Sequence, residues 1–135
     1  MSSLTRYFFA PVAASDGILP VIAWWEKRRP AYNLAVGAAG LVSLAAVNVI
    51  SLLPPISDPL GVPLIAVAIY AVLANVCYSA GPIGQILVRK FWDDRYEVVG
   101  PSMFRHGFIF SIGLTLLPIP LAVAAWVVTT LERLL

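Results

Sequence analysis

Charge is scarce in this chain. Only 12% of its 135 residues are Asp, Glu, Lys or Arg, against roughly 25% in an average soluble domain. Intrinsic disorder, which needs high charge and low hydrophobicity, is thereby excluded. Cysteine is scarcer still: Cys77 stands alone, so no internal disulfide framework exists. One cysteine and one histidine, His106, cannot build a four-ligand zinc site from this chain alone. The short motifs that carry catalysis are missing as well: there is no H-E-x-x-H, no G-x-S-x-G, no phosphate-binding G-x-x-x-x-G-K-[ST] and no G-x-G-x-x-G. No inverted internal repeat of the kind used by larger transporters is present. A net charge of only +2 gives no nucleic-acid footprint.

What is present is apolar surface. Sixty per cent of the residues are hydrophobic and the mean hydropathy is +0.88. No charge occurs from Pro30 to Ser57, from Pro59 to Val88, or from Gly107 to Leu131. A helix crossing a bilayer needs about 20 mostly apolar residues. These runs therefore predict an all-α integral membrane protein of one domain, with three transmembrane helices over 31–53, 62–88 and 104–130. Pro30 suits the first turn of the first helix, where its missing N–H costs nothing. Pro54, Pro55, Asp58, Pro59, Gly61 and Pro63 form a stiff turn after it. Gly100-Pro101-Ser102 reads as the entry to the third helix, with Ser102 as N-cap. The second run exceeds a bilayer core in length, and Gly81-Pro82 offers a place to kink or end it. Pro118 and Pro120 predict a kink in the third, since they free the carbonyls of Leu114 and Leu116.

Basic residues set the expected orientation. Arg6, Lys27, Arg28, Arg29, Arg89, Lys90, Arg95 and Arg105 fall on one side of the three spans, and only Arg133 falls on the other. Cytoplasmic loops collect Lys and Arg. The N-terminus and the loop 89–103 are thus expected inside and the C-terminus outside, in a bacterial inner membrane. Trp24, Trp25, Lys27, Arg28, Arg29, Arg89, Lys90 and Trp92 are expected at the headgroups, where aromatic and basic side chains gather. Residues 1–29 read as an interfacial or re-entrant segment with a short helix near Ile18 to Arg28. The alternative is a fourth transmembrane helix, which would place Asp16 inside the membrane at a cost of about 2.5–3.5 kcal/mol. On the first reading Asp16 is a helix cap; on the second it is a proton or ion site.

The polar residues within the spans are the remaining candidates. Asn48, Asn75, Ser79, Ser111 and Thr115 are expected to hydrogen-bond across helices or to line a pathway. Ala35, Ala39 and Ser43, and then Ala80 and Gly84, place small residues four apart on close-packing faces. His106 has the chemistry of a proton shuttle or of a haem or pigment ligand. The bland reading of an interfacial polar residue stands beside it, and no cofactor is expected. Asp93 and Asp94 pair carboxylates beside basic residues, as a metal-dependent headgroup enzyme would. Local ion pairing explains them equally well.

Three functions follow. The leading expectation is an accessory or assembly subunit of a larger membrane complex, its partners being the bilayer and other subunits or copies of itself. The second is a homo-oligomeric transporter or channel, with a path along Asn75, Ser79, Ser111 and Thr115. The third is a membrane-embedded lipid-headgroup enzyme using Asp93, Asp94 and His106.

Overall fold

The computed structural model of the chain describes residues 17–57, 61–91 and 96–135, the last segment with side chains from residue 99 onward. Four helices make up the described chain: α1 (Ile18–Leu52), α2 (Leu64–Phe91), α3 (Tyr96–Leu116) and α4 (Pro118–Leu134). Three helical rods, Ile18–Leu52, Leu64–Phe91 and Val99–Leu134, are long and apolar enough to cross a membrane. Among the described residues the structure is thus all-helical, with the three helices of membrane-spanning length and hydropathy that the sequence predicts.

Helix boundaries differ from the sequence reading. α1 does not begin at Pro30; it starts at Ile18 and runs through the proline. The expected short helix near Ile18 to Arg28 is thus continuous with the first span. Pro30 is exposed, so its ring points away from the bundle. Membrane helices tolerate proline where other groups satisfy the freed carbonyl. α2 likewise continues through Pro82 to Phe91, so Ile83 to Phe91 belongs to the same helix. Gly100-Pro101-Ser102 lies inside α3, which begins at Tyr96, so Ser102 is not an N-cap. The breaks at Pro54-Pro55 and at Pro118 match prolines expected to interrupt the chain. At Pro118 the interruption is local. There Leu117 N–H donates to Leu114 O at 3.4 Å, taking up the carbonyl that proline abandons.

α1 ends where Pro54 and Pro55 remove donors. Leu53 N–H closes the last turn on Ile50 O at 3.1 Å, and Ile56 N–H bonds Leu53 O at 3.1 Å. The indole of Trp126 on α4 donates to Pro54 O at 2.9 Å, tying the far end of the third rod to this turn.

Packing is uneven along the bundle. α1 packs on α2, α3 and α4, and α3 packs on α2, but α2 and α4 hardly touch. The tight core lies at the end that carries the charged residues. Val21, Trp25 and Phe104 are 0–3% exposed there, and Gln85 is fully buried. Across the charge-free sections α2 leans away: all ten residues from Leu64 to Leu73 are exposed. The physical reason is the solvent. Where water or headgroups reach, burying apolar surface gains free energy. Against lipid tails there is no such drive, and helices hold only by close packing and hydrogen bonds.

Candidate functional site

The charged end is organised around one indole. Trp25 Nε1 donates to Gln85 Oε1 at 2.7 Å, and Tyr78 Oη donates to the Trp25 carbonyl at 2.6 Å. Phe104 meets the Trp25 ring edge-on at 5.8 Å, and Tyr78 does so at 5.5 Å. Such edge contacts add about 0.5–1.5 kcal/mol beyond area burial. Three glycines make room. A Cβ on Gly81 would stand 2.4 Å from the Trp25 ring, one on Gly84 2.7 Å from Met103 Cε, and one on Gly100 2.5 Å from Gln85 Oε1. At Gly81 and Gly100 the facing groups are held in the core, so glycine serves close approach there, whereas Met103 opposite Gly84 is the end of a flexible side chain that can shift.

From this node a polar seam climbs into the charge-free section between α1 and α2. Arg29 pairs with Glu26 at 2.7 Å and reaches Ser79 Oγ at 3.2 Å. The same guanidinium lies 5.0 Å from the centre of the Tyr78 ring, within cation–π range. Its Nε is buried and has no hydrogen-bond partner. One turn further on, Asn33 Nδ2 donates to Asn75 Oδ1 at 3.3 Å, and Asn75 Nδ2 donates to Ala71 O at 3.0 Å. On the α3 side, Tyr32 Oη donates to Ser111 Oγ at 2.9 Å, and Thr115 Oγ1 donates to Ser111 O at 2.6 Å. The Tyr70 and Thr115 hydroxyls also meet, bridging α2 to α3 across open space.

That space is a cavity of about 580 Å³, within the range of small-molecule sites. Its walls are apolar, from Val36, Leu44 and Val47 on α1, Val67 and Ala71 on α2, and Leu114 on α3. Asn33, Asn75, Ser43, Tyr70 and Thr115 supply its few polar groups.

Several expected residues fall into this arrangement. Asn75, Ser79, Ser111 and Thr115 each take part in a contact between helices. Asn48 does not; its amide donates to Leu44 O of its own helix at 2.9 Å. His106 is exposed, with Nδ1 at 2.8 Å from Ser102 O. Among the expected headgroup residues, Trp25 and Arg28 face inward instead. Trp25 is 3% exposed and Arg28 5%. Arg28 lies 3.6 Å over the Trp24 ring and donates to Trp24 O at 2.9 Å, which compensates its burial. Lys27 and Lys90 are exposed, and Trp24 and Arg89 are half-buried. Of the small-residue positions, Ser43 is buried and Gly84 receives Met103, while Ala80 is exposed. Asp16, Trp92, Asp93 and Asp94 lie outside the described residues.

The sequence reading missed Gln85 and the partner of Asn75. Gln85 is the only glutamine in the chain, standing in an uncharged run four residues from Gly81 and one from Gly84. A lone amide flanked by glycines was the available signal. Asn33, close after the basic cluster, reads as interfacial until α2 is laid beside it.

No family model, curated protein or solved structure matches the chain.

Proposed function

We propose that this protein is an accessory or assembly subunit of a larger membrane complex, lying with its N-terminus in the cytoplasm of a bacterium and its C-terminus outside. The observation that carries this reading is how little the spans bury in one another. In the apolar windows of the second and third rods only 6% of residues are buried. In lipid, helices are held by close packing and hydrogen bonds rather than by exclusion from water. Spans that bury so little of each other present most of their surface to lateral neighbours. The well-packed aromatic node at the charged end gives such a subunit a rigid base.

The orientation rests on the placement of Lys27, Arg28, Arg29, Arg89, Lys90 and Arg105 at one end of the bundle. The test is mild detergent extraction from native membranes at natural abundance, followed by mass analysis of the intact particle. Other polypeptides in fixed ratio to this chain are the expected result. The chain alone, as a monomer or as a closed homo-oligomer, would overturn the subunit reading.

A further inference from the structure

The cavity between α1 and α2 has a shape, a polarity gradient and a charge pattern that together point to one kind of ligand. Along α1 it runs from Asn33 to Val47, and on the opposite wall from Val62, just before α2, to Asn75 within it. Fourteen residues at 1.5 Å each make about 20 Å of helix length. One leaflet of a bilayer with a core of about 30 Å is roughly 15 Å deep. The slot is thus longer than one leaflet is deep, so it can take an acyl chain along the full depth of that leaflet. The walls that such a chain would touch are Leu44, Val47, Val67 and Leu114. Access is lateral, because α2 leans away along Leu64–Leu73 and hardly touches α4.

At one end of this slot the chemistry changes abruptly. The Asn33–Asn75 amide pair closes the rim. One turn beyond it stands Arg29, whose side chain is 28% exposed and already anchored by Glu26 and Ser79. Lys27, Arg28 and Arg29 outweigh Glu26 in this turn of α1 by two charges. An ester or phosphate oxygen arriving here accepts hydrogen bonds from guanidinium and amide donors, and its negative charge complements the basic excess.

We propose that the cavity binds an anionic phospholipid, with one acyl chain between α1 and α2 and the phosphate at Arg29. This site is independent of whether the chain also has a protein partner.

The test uses the full chain, purified and delipidated in detergent. Native mass spectrometry follows titration with phosphatidylglycerol, with phosphatidylcholine of the same chain length, and with glycerol phosphate as the free headgroup. One phosphatidylglycerol per chain is expected, bound at least several-fold more tightly than phosphatidylcholine and not displaced by glycerol phosphate. Gly37 lines the slot, as does Ala71 opposite, and a Cβ on Gly37 would meet nothing within 4 Å. Gly37→Leu and Ala71→Leu should each weaken binding about tenfold or more. Arg29→Gln should remove the preference over phosphatidylcholine. Phosphatidylglycerol carrying a photoreactive group on its acyl chain provides a readout in the unmutated protein: its adducts should concentrate on Leu44, Ala71 and Leu114.

Equal binding of the two lipids to the wild type would overturn the proposal. So would cavity-filling variants that keep the wild-type tryptophan emission and full binding, or adducts spread over the exposed faces. Displacement by glycerol phosphate would assign the site to a soluble phosphate instead. A co-purifying polypeptide that must be removed before lipid binds would assign the slot to a protein helix.

Discussion

Replacing Gly81 by alanine sets two opposing effects against each other, and the geometry decides the sign. Alanine is favoured over glycine within a helix by about 1 kcal/mol. In an open position that gain is realised. At Gly81 the new methyl would stand 2.4 Å from one Trp25 ring carbon and 2.5 Å from the next. Carbon atoms prefer a separation of about 3.5–4.0 Å, so the ring must move by about 1 Å. It has nowhere to go without loss. Phe104 and Tyr78 hold its edges, and Gln85 fixes its N–H at 2.7 Å. Overpacking of this kind costs typically about 1–3 kcal/mol. Breaking the indole–amide hydrogen bond adds about 0.5–1.5 kcal/mol. After the helix-propensity gain is subtracted, Gly81→Ala should destabilise the fold by about 1–3 kcal/mol. Gly37→Ala provides the control, because a Cβ there meets nothing within 4 Å. It should stabilise by about 0.5–1 kcal/mol. Reversible unfolding in mixed micelles of rising dodecyl sulfate content, followed by helical circular dichroism and tryptophan emission, measures both. A Gly81→Ala protein as stable as the Gly37→Ala protein, with unaltered tryptophan emission, would refute the close-packed node.

Three further outcomes are expected. Gln85→Leu leaves the Trp25 N–H without its acceptor in a fully buried site, at a cost of about 1–3 kcal/mol; a double-mutant cycle with Trp25→Phe should show a coupling that vanishes if the two do not interact. Asn75→Leu removes the bridge to Asn33 and should cost about 0.6 kcal/mol, whereas Asn48→Leu should be nearly neutral because its amide serves its own helix; equal effects in the same unfolding assay would contradict the assignment. A C-terminal alkaline-phosphatase fusion should be active and a C-terminal GFP fusion dark; the reverse pattern would invert the proposed orientation.

The number and nature of the spans were legible because a bilayer imposes a coarse rule. Twenty or so residues without charge cross it, and three such runs are plain in the sequence. The helix ends were not legible at Pro30, Pro82 and Pro101. Proline is a reliable stop in water, where an alternative conformation is solvated at once. In this bundle each proline lies within a continuing helix instead. Pro101 adjoins Gly100, which packs on Gln85, and Pro82 adjoins Gly81, which packs on Trp25. Those tertiary contacts outweigh the local cost of a missing N–H.

The site shows the same division. Asn75, Ser79, Ser111 and Thr115 stood out as polar groups inside apolar runs, and each meets another helix. Trp25 and Arg28 belonged to an aromatic and basic cluster that, by composition, faces headgroups. Which of its members turn inward depends on which carry a glycine or an aromatic ring opposite them, and that is fixed only when α1, α2 and α3 meet.

By itself the sequence determined that the chain is helical and apolar enough to cross a bilayer three times, with its basic residues gathered at one end. These are properties of single segments, set by length, hydropathy and charge. Only the tertiary structure decided that Gln85 pairs with Trp25, that Asn33 pairs with Asn75, and that α1 and α2 part above that bridge to leave a cavity. Each of these depends on the register between two antiparallel helices far apart in sequence, and no local pattern encodes a register.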